Sequence, residues 1–198
     1  MKRSVWRGAA LALLIVAACG SASTGAAGNP PVADTSMRVL ASSAVPGVAS
    51  KITVLTVIEL ARDASIPRLG SMLTSWGYLD GRERVFQGES RHLTLVVSRS
   101  LVFKDAGGAR DYVAFVQDNA AAFFGVAVGI QPLVAQGRSG WVFTPAACAC
   151  HMASPAIVGI LDVGTGVAWL EINGPDATPA LLVSLLDPAN SVPPTPLG

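Results

Sequence analysis

The residues with the widest chemical reach in this 198-residue chain are Cys148, Cys150, His151 and Met152, a run of soft ligands just after Pro145. One residue between the cysteines rules out both the C-x-x-C of thiol–disulfide catalysts and the C-x-x-C-H of covalent haem attachment. Three uses remain. A disulfide between Cys148 and Cys150 closes a very small ring, whose strained geometry makes the bond labile and easily reduced. Both thiolates, with His151 or Met152, suit a soft metal such as Cu(I) or Zn(II). The third use is a plain loop staple, without exchange chemistry and without metal.

The rest of the chain is poor in catalytic groups. A Ser or Cys nucleophile needs a base within reach, usually His. There are two histidines and no G-x-S-x-G elbow. His92 falls on the polar side of a strand-like alternation, which suits a solvated residue better than a ligand. Glycoside hydrolysis needs two carboxylates across a cleft, and nothing in the sequence pairs Glu83, Asp162 or Glu171. Gly107-Gly108 opens a helix but lacks the G-x-x-x-x-G-K-S/T of a phosphate loop. No catalytic residue is assigned, and binding is the better expectation than catalysis.

The N-terminus sets the compartment. Lys2, Arg3 and Arg7 precede an uninterrupted apolar run from Ala9 to Ala18, the order of a secretory signal. The run is too short to span a bilayer, which takes about 20 apolar residues. It ends in Val16-Ala17-Ala18-Cys19, and these four residues resemble the bacterial lipobox. That resemblance implies that residues 1–18 are a cleaved signal peptide and that Cys19 carries lipid, such as palmitate, on its sulfur. It places the protein at the cell membrane, on the extracytoplasmic face. Each buried acyl methylene contributes about 0.8 kcal/mol, so two or more chains anchor durably. Residues 19–36 then form a lipidated tether, because Gly20 to Pro31 holds only small and polar residues without hydrophobic period. With Cys19 taken by lipid, Cys148 and Cys150 are left as an even pair in an oxidising compartment.

Residues 37–187 fit one domain of about 150 residues. The formal charge of +1 includes three basic residues of the signal, so the remainder carries 11 basic against 13 acidic side chains. No basic run or basic–aromatic interleaving occurs, which excludes nucleic acid as a partner. Residues 188–198 hold four prolines and read as an irregular, disordered tail.

Within the domain, Ile52 to Leu60 is apolar and rich in β-branched residues, with neither clean alternation nor a helical stripe. Leu69, Met72, Leu73 and Trp76 follow the i, i+3, i+4, i+7 rule of an amphipathic helix, with Ser65 as cap, Pro67 in its first turn and Gly77 at its end. Strands follow over Arg82–Gln87 and His92–Phe103, where Leu93, Leu95 and Val97 alternate with His92, Thr94 and Ser98. Asp105 caps a long helix to Phe124, with Tyr112, Val113, Val116, Ala120 and Phe123 inward and Arg110, Asp111, Gln117 and Asp118 outward. Four more strands read over Ala127–Ala135, Gly140–Thr144, Ala156–Val163 and Gly166–Ile172. Thr178 and Pro179 open a final helix. Hairpins with separate helices predict an α+β fold: an antiparallel sheet of five or six strands with helices packed on one face.

Three stretches, Trp76-Gly77-Tyr78, Val102 to Ala109 and Trp169 to Pro175, are similar to the lipid-anchored envelope proteins of actinobacteria. The resemblance implies a binding or interaction module engaging an envelope protein or a small hydrophobic ligand. The alternative is a metal-binding or redox-active lipoprotein centred on Cys148, Cys150 and His151.

Overall fold

Paired apolar strands build the body of the domain, and the helices are placed by what those strands leave uncovered. The computed structural model describes residues 38–63, 66–88, 93–146 and 156–193. In chain order these form β1 (Val39–Leu40), β2 (Ala49–Val54), α1 (Val57–Asp63), α2 (Leu69–Ser75), β3 (Tyr78–Gln87), β4 (Leu95–Phe103), α3 (Ala106–Asp118) and α4 (Ala120–Phe124). They continue with β5 (Val128–Ala135), β6 (Arg138–Pro145), β7 (Ala156–Asp162), β8 (Gly166–Asn173), α5 (Pro179–Leu185) and β9 (Ser191–Val192).

Seven strands make one antiparallel sheet in the order β2-β3-β4-β8-β7-β6-β5, and β1 pairs β9 in a separate two-stranded ladder. The main sheet is two meanders, β2-β3-β4 and β5 through β8, sewn together where Leu95–Val102 of β4 pairs Asn173–Gly166 of β8. The α+β class holds, and the strand count exceeds the expected five or six. Two features hid the extra strands. Ile52 to Leu60 contains the end of β2 and the start of α1, so its mixed periodicity came from two elements. The β1–β9 ladder joins residues far apart in sequence and has no local signature.

The helices are not confined to one face, which corrects the second part of that expectation. Leu101, Phe103, Val158, Ile160, Val167 and Trp169 pack under α1 to α4. The alternate residues Val96, Ile157, Leu161, Leu170 and Ile172 pack under α5. The reason is legible in β7, Ala156-Ile157-Val158-Gly159-Ile160-Leu161, where apolar residues run on without alternation and every one is buried. Such a strand needs cover on both sides.

Local chemistry explains where elements stop. Asp105 caps α3 by accepting from the Gly108 amide at 3.0 Å, as Thr178 caps α5 by accepting from Leu181 N at 3.2 Å. The single helix expected to run to Phe124 is broken at Asn119. Its side-chain amide donates to the Phe115 carbonyl at 2.8 Å, a bond that competes with continued helix. The tail expected after Asp187 is ordered at its start: Pro188–Asn190 form a 3-10 turn and Ser191–Val192 is β9.

Gly108 decides how α3 sits. A Cβ there would lie 1.8 Å from the carbonyl oxygen of Trp76, so only glycine lets the helix touch the α2–β3 turn. Lys104 N donates to Gly77 O across the same seam at 2.7 Å. Trp76-Gly77-Tyr78 and the Val102-to-Ala109 stretch are thus two halves of one structural clasp.

Candidate binding site

The residues with the most reactive side chains by sequence, Cys19, Cys148, Cys150, His151 and Met152, all lie outside the described residues, as does His92. Cys148, Cys150, His151 and Met152 fall between Pro145 of β6 and Ala156 of β7. Among the described residues, no group of three or more His, Cys, Asp or Glu is placed to hold a metal. No described helix is long and apolar enough to cross a membrane.

The nominated carboxylates have structural partners. Glu83 accepts from Arg99 Nε at 2.6 Å, and the Arg99 guanidinium lies over the Trp169 ring, 5.5 Å from its centroid. Asp162 accepts from Gly164 N at 2.9 Å, inside the β7–β8 turn. Glu171 accepts from the Asn173 amide at 2.8 Å. None of these contacts joins two carboxylates across a cleft.

The site the structure does build is a cavity of about 260 Å³ on the α5 face of the sheet. Its floor is β4, β7 and β8, contributing Ser98, Ser100, Leu161, Ala168 and Leu170; Leu185 and Leu186 wall one side, Leu40 another. The β5–β6 turn, with Gln136 and Arg138, closes the rim opposite. The volume falls just below the range of about 300–1,000 Å³ usual for ligand pockets, which suits a small ligand.

Ser98 and Ser100 occupy this floor for a reason sequence alone misassigned. Ser98 falls on the polar side of the strand alternation and was expected to face water; both serines are in fact buried. β4 is paired on both edges, and the two hydroxyls serve instead as acceptors for the backbone of residues 38–40. Leu40 N donates to Ser98 Oγ at 3.0 Å, and Arg38 N donates to Ser100 Oγ at 3.2 Å. Arg84 Nη1 completes the attachment by donating to the Leu40 carbonyl at 2.8 Å. Burial pulls the Arg84 guanidinium below its ordinary pKa, since the interior disfavours the charged form. On its other edge β1 pairs β9, with Val39 opposite Val192, and Ala41 N donates to Asn190 O at 2.7 Å. The segment β1 is therefore a strap, held to the sheet by side chains and forming one wall of the cavity.

The rim carries backbone strain. Gln136 has φ +53 and Gly137 φ +71, between the paired residues Ala135 and Arg138, which defines a two-residue hairpin with both central residues left-handed. Gln136 Nε2 reaches Asp187 Oδ2 at 3.4 Å and ties this turn to the chain after α5. The sequence signal that could have found the site is Ser98-x-Ser100 on a strand whose other positions are almost all apolar: paired hydroxyls in a two-sided core strand need partners.

No family model and no curated protein matches the chain. Among solved structures, the extracellular domain of PknH from Mycobacterium tuberculosis is similar over 69% of this chain and 80% of that one, at 14% identity and a TM-score of 0.32. At that distance the likeness bears on neither site nor partner.

Proposed function

We propose that this chain is a lipid-anchored binding module of the cell envelope, held on the extracytoplasmic face through Cys19 and presenting the cavity beneath α5 to a small, partly apolar ligand. The observation that carries the reading is the cavity itself: aliphatic walls over a floor with two buried hydroxyls, Ser98 and Ser100. A few placed polar groups in an apolar concavity are the usual anatomy of a ligand site.

Native mass spectrometry of the protein taken from membranes tests this. A released small molecule is expected, and its return should raise thermal stability, since a ligand at 100 times its Kd adds about 2.7 kcal/mol. Ala168→Phe, which fills the floor, should abolish that shift; a shift unchanged by Ala168→Phe would remove the cavity from consideration. Anchoring has its own test. Cys19→Ala should move the protein from membrane to medium or leave it unprocessed, and normal processing with membrane retention would refute lipidation.

The Cys148-Ala149-Cys150-His151-Met152 run supports a second, separate proposal. A staple predicts an intact mass two hydrogens lower than the reduced chain and no metal. A soft-metal site predicts two reduced thiols with stoichiometric copper or zinc, lost on His151→Ala or Met152→Ala.

A further inference from the structure

We infer that the cavity selects a single-chain anionic amphiphile, a short alkyl body bearing a carboxylate or phosphate head. The inference rests on the proposal that the cavity is a ligand site, and it adds the chemistry of what fits there. Its first ground is charge. Arg38 and Arg138 are among the lining residues, and no carboxylate stands among the described lining residues. Asp187, which meets Gln136, lies outside that lining and is already used to cap the following 3-10 turn, accepting from Ala189 N at 2.9 Å. Arg138 thus brings a positive charge to the rim of this cavity, in a chain whose residues 19–198 carry 11 basic against 13 acidic side chains.

The second ground is the direction of the hydrogen bonds. Ser98 Oγ and Ser100 Oγ each accept a backbone amide of the strap, which leaves each hydroxyl its hydrogen to donate. Two residues apart on β4, they share one face and stand roughly 7 Å apart. The floor thus offers donors, and Arg138 at the rim offers a planar fork that matches carboxylate or phosphate oxygens. Arg138 is exposed, so it meets a head group at the cavity mouth without first being desolvated.

Shape supplies the third ground. Leu40, Leu161, Val163, Leu170, Leu185 and Leu186 give aliphatic walls. The Trp169 side chain packs instead with Phe123 and Phe124 on the other face of the sheet. Alkyl packing is therefore available and ring stacking is not. The volume of about 260 Å³ admits one short chain and excludes a two-chain lipid.

The experiment uses the full chain carrying Cys19→Ala, so that no covalent acyl chain competes for the cavity. Octanoate, octyl phosphate, octanol and octylamine are titrated by calorimetry against this protein and against its Arg138→Gln derivative. Octanoate or octyl phosphate should bind, octylamine should not, and Arg138→Gln should weaken the anion about tenfold, the loss of one charged hydrogen-bonding partner, while leaving octanol unchanged. Whichever anion binds more tightly identifies the source as a free fatty acid or a phosphate lipid. Octanol or octylamine binding as tightly as the anions, or no effect of Arg138→Gln, overturns the charge selection while the ligand-site proposal stands. So does a cationic or neutral molecule released from the membrane-purified protein. No binding by any probe, together with no released molecule, overturns both.

Discussion

The two faces of the sheet are covered by different chemistry. Under α1 to α4, nine aromatic rings form one unbroken chain of contacts from Tyr78 through Phe103, Tyr112, Trp76, Phe115, Phe123, Trp169 and Phe124 to Phe143, with centroids 5.3–6.5 Å apart. Under α5, Phe86 is the one aromatic in the buried cluster, and the rest is aliphatic. Aromatic pairs prefer defined offsets and tilts, so the first face is locked by geometry as well as by area. The second face is closed by the β1 strap, whose amides hang on two serine hydroxyls. Val39 and Leu40 are themselves buried, but the bonds of β1 to the main sheet run through side chains, so one side-chain change can loosen it. One face holds the fold together, and the other has room for a ligand.

The largest break in that comparison is Val116→Asp. Val116 is fully buried in the aromatic face, and an unpaired charge there should cost about 4 kcal/mol or more. Gln117→Asp, one residue along on the same helix, should change stability by less than about 0.5 kcal/mol. Urea midpoints for the pair check it, and equal effects would mean that α3 packs on a different side.

Next in size are Ser98→Ala and Ser100→Ala. Each orphans one amide of the strap, at a cost of about 1–2 kcal/mol. Amide exchange should speed up at Leu40 and Arg38 while α3 stays protected. Uniform acceleration across both faces would show that the strap is no separate unit.

A smaller effect, of opposite sign, separates the two tyrosines. Tyr112 Oη is buried without a hydrogen-bond partner, whereas Tyr78 Oη donates to the Leu55 carbonyl at 2.5 Å. Tyr112→Phe should therefore stabilise by about 1 kcal/mol and Tyr78→Phe should destabilise by a similar amount. Burial raises both hydroxyls above their ordinary range. A raised pKa in the folded state means that the unfolded chain gives up these protons first. Stability should hold up to about pH 10, the unfolded value, and fall as pH rises further. Chemical denaturation between neutral pH and pH 11 checks it; Tyr112→Phe should flatten the fall.

Much of the helix side was legible from residues alone. The stripe on α2, the Asp105 cap and the inward set Tyr112, Val113 and Val116 follow from period and cap chemistry, which are local. In the sequence Gly108 shows only as half of a Gly pair that opens a helix, because the carbonyl it makes room for belongs to Trp76, 32 positions earlier. The cavity side was nearly invisible for the same reason. Its wall β1 is two residues long, its partner β9 sits in a proline-rich tail, and its serines look solvated until both faces of β4 are known to be covered. Alternation reports which residues share a face, and it cannot report whether the other face meets water.

The smallest effect concerns the turn at the cavity rim. Gln136 and Gly137 both have positive φ, and this hairpin type favours Asn or Gly at the first central position. Glutamine pays a steric penalty in the left-handed region that Asn largely avoids, because its shorter side chain bonds locally. Gln136→Asn should thus stabilise by about 0.5 kcal/mol if the backbone decides. Against this stands the reach of Gln136 to Asp187, which at 3.4 Å is long for a hydrogen bond and exposed, and so contributes little. Thermal melts give the sign directly. A gain would show that the strain belongs to the turn alone. A loss would mean that the long contact to Asp187 holds the rim against the end of α5. In that case Gln136→Asn should also loosen the cavity and speed release of any bound amphiphile, tying the rim to the face that opens.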